Sequence, residues 1–381
     1  MIKYQIWLSL ALGAGNPRTK SAIDFFGNAE NVYRSDKEER KNSGIFTPKE
    51  LQKLAMTPIT DAIRVLADCS KDDIDTIALG DEKYPYCLSV IENPPLVLYV
   101  KGELPDFDNI PAVCIVGPRK VSDFGKKAAY SLGYRLARSG MTVVSGGALG
   151  TDTYAHAGAL KSGGKTVLVM GCGISSNYLP ENAKLREAVS KNGCLISEYP
   201  PNAHANKHTF PIRNRIMSAL SLGTVVVEAG EKSGSLITAK HSLEQGRDVF
   251  VVPGSPDKKE YIGSNALLRD GAKPLLDASD IFGEYIVRFP DKINIEKAFS
   301  KDNEILGKDS TTKGNEKTEK NLNEGLSKEA KIVYNQIVKQ KFFPEDIHGT
   351  GLSSGELLSG LTELEMEFLI KALPGGMFEK I

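Results

Sequence analysis

Val113-Cys114-Ile115-Val116-Gly117-Pro118-Arg119-Lys120-Val121-Ser122-Asp123-Phe124-Gly125 and, further on, Met141-Thr142-Val143-Val144-Ser145-Gly146-Gly147-Ala148-Leu149-Gly150-Thr151-Asp152 share one pattern. A short β-branched run, apolar throughout, breaks into glycine. Apolar runs without alternation are what strands buried on both faces require. An amphipathic stretch over 125–139 lies between the two. The unit recurs at Thr166-Val167-Leu168-Val169-Met170, Cys194-Leu195-Ile196, Thr224-Val225-Val226-Val227 and Val249-Phe250-Val251-Val252, with another helical stretch over 235–245. Strand and helix in alternation predict an α/β domain over residues 111–290, a Rossmann-like doubly wound, mostly parallel sheet.

Glycine follows most of these strands. Val116 runs into Gly117 and Gly125, Val144 into Ser145, Gly146, Gly147 and Gly150, and Val227 into Gly230 and Ser233-Gly234-Ser235. In an open parallel sheet the carboxyl ends of the strands form the binding crevice. There glycine lets backbone approach an anion, and helix amino-termini point N–H groups at it. An anion site on this edge is therefore expected. It is not a dinucleotide site: the first turn lacks G-x-G-x-x-G, and no acid follows the second strand where a ribose needs one. No G-x-x-x-x-G-K-[ST] occurs, so no cofactor is implied. Cys69, Cys87, Cys114, Cys172 and Cys194 are widely spaced with no C-x-x-C pair, and no metal site is expected.

The most pointed segment is His204-Ala205-Asn206-Lys207-His208-Thr209-Phe210-Pro211-Ile212-Arg213-Asn214-Arg215. Pro211 disfavours helix at Phe210, so a helix is expected to begin near Arg213. Cations flanking an aromatic suit a polyanion track. Lys and Arg neutralise phosphates while Phe210 offers a stacking platform worth roughly 1–3 kcal/mol per base. In the competing arrangement Phe210 is core, and Arg213 and Arg215 pair with acids such as Glu228 or Glu198.

Charge placement agrees with a polyanion. The 381 residues carry 48 Lys+Arg against 48 Asp+Glu, yet residues 111–290 hold 22 basic and 15 acidic side chains. Such a local excess focuses an attractive field even on a neutral molecule. The composition, 41% hydrophobic with 36 Gly and 19 Pro, excludes collagen-like, wholly disordered and disulfide-rich secreted classes. No apolar run approaches the roughly 20 residues of a membrane span. The odd cysteine count in apolar contexts fits reduced thiols, so a cytoplasmic location is expected.

Around the sheet domain, residues 1–75 read as a small helical domain, in which Thr47-Pro48-Lys49-Glu50 has the form of a capped helix start. Residues 76–110 read as a proline-rich connector with a first strand, Leu96-Val97-Leu98-Tyr99-Val100, and no helix. Residues 291–325 read as a flexible linker, since 291–324 hold seven Lys, eight acids and one aromatic. Residues 326–381 read as three helices, the third over 361–372, and a hairpin-like wing. With six Lys, eight acids and no Arg, this winged-helix-like domain suits protein contact better than base reading.

Taken in order, Gly117-x-Arg119-x-x-Ser122-x-x-Gly125, Ser145-Gly146-Gly147-Ala148-Leu149-Gly150-Thr151-Asp152, Phe210-Pro211-x-Arg213-Asn214-Arg215, Ser233-Gly234-Ser235-Leu236-Ile237-Thr238-Ala239 and Gly246-Arg247-Asp248-Val249-Phe250 resemble the DNA processing protein A (DprA/Smf) family. The helical N-terminal part is SAM-like in that family. The resemblance implies a non-catalytic homodimer that binds single-stranded DNA on the sheet domain and loads the RecA recombinase during natural transformation. It also implies that Arg119 and Lys207 contact phosphates and that Phe210 sits beside the strand. The turns at Ser145-Gly146-Gly147 and Ser233-Gly234-Ser235 would form the anion pocket. Pro118, Thr151 and Leu179-Pro180-Glu181 depart from the family pattern. The rival reading is a nucleotide phosphoribohydrolase-like enzyme on a similar sheet. Ile237, Thr238 and Ala239 offer no carboxylate where its catalytic acid would lie, and His156 and His208 lack an identifiable partner.

Overall fold

The computed structural model describes residues 2–300 and 326–380, apart from 338, 368, 374 and 375. The chain divides into two compact units, Met1–Phe299 and Ser300–Ile381.

Among the described residues of the first unit, nine strands form one sheet: β1 (Asp75–Ala78), β2 (Val97–Gly102), β3 (Ala112–Val116), β4 (Thr142–Ser145), β5 (Thr166–Met170), β6 (Cys194–Ser197), β7 (Gly223–Val226), β8 (Asp248–Val251) and β9 (Lys273–Pro274). Their order is β1-β2-β6-β5-β4-β3-β7-β8-β9. From β6 to β9 all neighbours are parallel, with Val113 opposite Val143 on one side of β3 and Ile115 opposite Val225 on the other. The chain steps outward from β3 through β4 to β6, then returns to lay β7 on the opposite flank. That reversal puts the topological switch point at the carboxyl end of β3, where open sheets bind ligands. All six expected strands of the alternating region are present.

The proline-rich stretch holds its expected strand, as β2, and more. β1 pairs antiparallel with β2, and β2 antiparallel with β6, so it extends the sheet by two strands. It also holds one helical turn, Tyr86–Ser89, contrary to the expectation, because Pro85 only precedes that turn and its lone amides are met by Asp108. Side-chain alternation along β2 explains the wider packing. Val97 and Tyr99 face one core with Trp7, Ala62 and Leu168, while Leu98 and Val100 face the other with Leu88, Val116 and Ile216. The helices of residues 2–71 therefore share a core with one face of the sheet, and residue 75 marks no break in packing. Within them the Thr47 capping box forms as expected, with Pro48 opening the helix Pro48–Met56.

The sheet unit also runs past residue 290. Ile293 and Ala298 are buried, the helix Ile295–Phe299 follows, and the Arg135 guanidinium lies over the Phe299 ring at 4.6 Å. Apolar side chains at 293, 295 and 299 were few, but enough to anchor this stretch. The rest of the expected linker, 301–325, lies outside the described residues.

In the second unit the helix Lys328–Gln336 is followed by β10 (Lys341–Phe342), the helix Ser354–Met366, β11 (Ile370–Leu373) and β12 (Met377–Lys380). The strands form an antiparallel sheet in the order β10-β12-β11. The expected third helix over 361–372 is absent among the described residues. A capping box at Ser353 and Glu356 starts a single helix that runs to Met366. Beyond it the buried Ile370 pairs with Lys380 as strand. Where a wing was expected, β11 and β12 pair antiparallel, with Leu373 opposite Met377.

One buried side chain gives the sheet unit a pH response. His156 is fully buried, with Nδ1 2.8 Å from the Thr166 hydroxyl. That hydroxyl donates its hydrogen to the Val143 carbonyl at 2.8 Å, so Nδ1–H is the donor to Thr166. Nε2 has no partner among the described residues. Burial, with Arg213 adding to it, pushes the imidazole down to about 3. The unfolded chain then takes up the proton first, and stability present above about pH 6.5 is lost as pH falls toward 3, by about 1.4 kcal/mol per pH unit. Urea unfolding at pH 7 and pH 5 checks this: His156→Gln should flatten the difference, and an equal difference in both proteins would refute it.

Candidate nucleic-acid interface

The turn after β3 is built by its own side chains. Ser122 caps the helix Asp123–Arg138, accepting the Gly125 N–H at 3.0 Å. Its hydroxyl donates to Glu228, and its N–H donates to the same carboxylate at 3.1 Å. Tyr261 donates a third hydrogen bond to Glu228 at 2.9 Å, and Glu228 has no exposed surface. A Cβ at Gly125 would stand 2.5 Å from the Glu228 carboxylate, and one at Gly117 would stand 2.3 Å from the Thr151 hydroxyl. Two of the expected site residues are thereby spent within the chain: the Ser122 N–H and hydroxyl on Glu228, and the Gly125 N–H on Ser122. Gly117 leaves room for Thr151 and keeps its backbone partly open to solvent.

The second turn is likewise filled from within. The Ser145 hydroxyl is buried and donates to the Ile115 carbonyl at 2.7 Å. Arg213 donates to the carbonyls of Gly146, at 2.8 Å, and of Val169. A Cβ on Gly146 would sit 2.4 Å from that guanidinium, and one on Gly147 would strike Leu168. The turn's amides are met by Asp152, whose carboxylate accepts the Ala148 N–H at 3.1 Å. Burial pushes the Asp152 carboxyl up, opposed by Arg213 and by the amides of Ala148 and Gly146. Burial pushes Arg213 down, opposed chiefly by Asp152. Within the turn where an anion was expected, the chain's own Asp152 thus takes the Ala148 and Gly146 amides.

The arginine pair is structural as well. Arg213 is 5% and Arg215 7% exposed. Arg215 grips Glu198 with two bonds of 2.9 and 2.8 Å and also donates to the Asn93 carbonyl at 3.0 Å. Asn214 accepts from Arg213 Nε at 3.1 Å. All three were expected on a DNA track. Instead Arg213 is spent on the Gly146 and Val169 carbonyls, and Arg215 on a bidentate, desolvated pair with Glu198 that leaves its guanidinium no free face. The competing arrangement with Glu198 is the one found for Arg215. The helix carrying them is Thr209–Ala219, so it begins four residues before the expected Arg213. Pro211 falls in its first turn, where a missing N–H breaks no helical bond.

Other groups remain open to solvent. Arg119 is exposed and lies over the Phe210 ring at 5.5 Å. Gly150, at φ +86°, holds that loop in place, because a Cβ there would meet the Arg119 carbonyl at 2.4 Å. Phe210 is half-buried, rests on Gly171, and packs against Tyr178 with ring centroids 5.2 Å apart. Tyr178 was missed in the sequence, because nothing in the turn after β5 marks it as a neighbour of the helix Thr209–Ala219. Lys207 is exposed, in a turn set by Asn206, which accepts from His208 N–H and from the Thr209 hydroxyl, both at 2.8 Å. At the switch point's far side, Ser233, Gly234 and Ser235 open the helix Ser235–Glu244. Gly234 is exposed with open space around it, and the two serine hydroxyls are 2.8 Å apart. The structure thus gathers Arg119 and Phe210, exposes Lys207 on the same carboxyl edge, and leaves one open helix start. Among the described residues no three His, Cys, Asp or Glu side chains converge as metal ligands, and no helix is long and apolar enough to cross a membrane.

The molecule is thus an α/β protein with a Rossmann-like, mostly parallel sheet, whose carboxyl edge carries an exposed arginine over an aromatic ring and no nucleotide fingerprint. Residues 75–286 match the DNA recombination-mediator protein A family, and the chain belongs to that family. It is 42% identical to the DNA processing protein DprA of Bacillus subtilis over 58% of this chain and 74% of that one. It is 34% identical to the Smf protein of a Synechocystis species over 79% of this chain and 78% of the relative. The fold is similar to the crystal structure of DprA from Streptococcus pneumoniae, with a TM-score of 0.65 at 31% identity, covering 74% of this chain and 98% of that one. It is also similar to DNA processing protein A from Helicobacter pylori, described for its single-stranded DNA binding mode. There the TM-score is 0.51 at 29% identity, covering 56% of this chain and 96% of the other.

Proposed function

We propose that this chain binds single-stranded DNA along the carboxyl edge of the sheet, without transforming it, and passes the strand to the RecA recombinase during natural transformation, acting as a cytoplasmic homodimer. The observation that carries the reading is the exposed Arg119 guanidinium over Phe210, a cation and a stacking face presented together. Lys207 and the helix start at Ser233, Gly234 and Ser235 extend the track. The helical N-terminal part corresponds to the SAM-like module of the family. The second unit corresponds to its winged-helix domain, with an acidic balance that favours a protein partner.

A track of few cations and backbone amides binds without regard to sequence and weakens steeply with salt. Fluorescence anisotropy of mixed-sequence and homopolymer oligonucleotides at two salt concentrations tests this. Equal affinities for all sequences and a clear drop at the higher salt are expected. A strong sequence preference, or affinity indifferent to salt, would defeat the reading. Against a phosphoribohydrolase-like reaction stand Ile237, Thr238 and Ala239, and the buried Glu228 whose lone pairs are spent on Ser122 and Tyr261. Release of free base from nucleoside monophosphates would revive it.

A further inference from the structure

Arg247 belongs to a motif that the carboxyl-edge site does not use. It stands just before β8, at the opposite, amino-terminal edge of the sheet. There a cavity of about 450 Å³ opens, floored by Ala112 at the start of β3 and by Leu222 just ahead of β7. Its walls carry three rings, of Tyr86, Phe107 and Phe289, and three charges, of Asp108, Arg247 and Arg288.

The polar groups are arranged unevenly. Arg247 spends one Nη on the Ala219 carbonyl at 3.3 Å, the end of the helix Thr209–Ala219. Its buried Nε has no hydrogen-bond partner among the described residues. A desolvated charged donor left unpaired is costly and rare in native structures, so an acceptor from outside the chain accounts for it best. The exposed Arg288 guanidinium lies over the Phe289 ring at 5.1 Å. On the other wall the Asp108 carboxylate accepts the Tyr86 and Cys87 N–H groups at 3.2 and 3.4 Å. Two guanidiniums against one carboxylate and a helix carboxyl end, worth about half a negative charge, leave a small positive balance. Tyr86 keeps 69% of its surface exposed beside them, with little of its ring covered by the chain itself.

We propose that this cavity binds a nucleoside monophosphate, either free or as the phosphorylated end of a DNA strand. The base lies among the rings, the phosphate meets Arg247 Nε and Arg288, and a base amino or sugar hydroxyl group donates to Asp108. A simple inorganic anion would leave the rings and Asp108 unused, and an uncharged base would leave the guanidiniums unused. The volume is within the range of small-ligand sites, roughly 300–1,000 Å³. The site lies at the far edge of the sheet from Arg119 and does not rest on the single-strand reading.

The test is titration of the full chain with deoxyguanosine 5′-monophosphate, followed by saturation-transfer NMR. Binding is expected at millimolar nucleotide, and Arg288→Ala, which removes an exposed side chain, should weaken it at least about tenfold, the loss of one charge-assisted phosphate contact. Arg247→Ala should weaken it further, and the Arg288 variant decides the matter if that protein folds poorly. Arg119→Ala should leave nucleotide binding unchanged. No binding, or binding lost in Arg119→Ala and kept in Arg288→Ala, overturns the site. Competition then identifies the source. Displacement by an oligothymidylate bearing a 5′-phosphate, but not by one lacking it, assigns the strand end. Displacement by neither assigns the free nucleotide. Displacement by both alike places the nucleotide on the strand's track and overturns the site.

Discussion

Alanine at Arg119 lowers single-strand affinity by about tenfold or more at low salt, the value of one charge-assisted phosphate bond, with the stability of the protein unchanged. The side chain is exposed and its contact with Phe210 is a cation over a ring, worth only about 0.5–1 kcal/mol at such a site. Nothing buried is uncovered by its removal. Alanine at Lys207 has a smaller effect of the same kind. Each substitution should reduce the slope of log affinity against log salt by about 0.7, the value for one phosphate on a single strand. Arg119→Lys separates charge from shape: it keeps the salt slope but loses the planar fork that lies on Phe210. Anisotropy titrations at two salt concentrations, with thermal melts as a control, measure all three. If neither alanine variant changes affinity or slope, the carboxyl edge is not the DNA track.

Alanine at Glu198 acts in the opposite way, on folding and only through it on binding. The expected loss is about 3–5 kcal/mol, the cost of leaving a desolvated guanidinium without its partner. Arg215 is held by Glu198 through two bonds, and the Gly15 N–H donates to the same carboxylate at 3.1 Å. One substitution therefore loosens both the helix Thr209–Ala219 and the turn after the first N-terminal helix, Ile2–Leu12. Replacing both partners, Glu198→Leu with Arg215→Met, should recover much of the loss, since a packed apolar pair avoids the desolvation cost. Urea denaturation of the single and double variants provides the measurement. A single variant within about 0.5 kcal/mol of the parent would show that the pair bears no load, because that is the scatter of ordinary surface changes.

These two arginines mark the limit of reading a chain of residues. Arg119 and Arg215 are both cations beside glycine turns or aromatics, and nothing local distinguishes them. Their difference is made by partners remote in sequence: Glu198 reaches Arg215 across the end of β6, while no carboxylate approaches Arg119 closely enough to pair with it among the described residues. The same holds for Asp152. Beside Gly150 and Thr151 it reads as the start of a helix, yet its carboxylate fills the turn in which an external anion was expected. Glycine at 117, 125 and 146 signalled close approach correctly, but what approaches is Thr151, Glu228 and Arg213. The strands β3 to β8 were legible because each is an unbroken apolar run, a pattern that needs only nearest neighbours to be recognised. β1 was not, since Asp75-Thr76-Ile77-Ala78 is too short and mixed to be recognised until β2 pairs with it.

The order of apolar runs and glycines in the chain was sufficient to determine an α/β sheet with glycine turns at the carboxyl ends of its strands, because strand burial and turn geometry are local demands on residue type. Which charges on that edge stay open to solvent was decided only by tertiary packing. A charge is available or spent according to whether its countercharge lies within a few ångströms, and that distance is set by segments far apart in the chain.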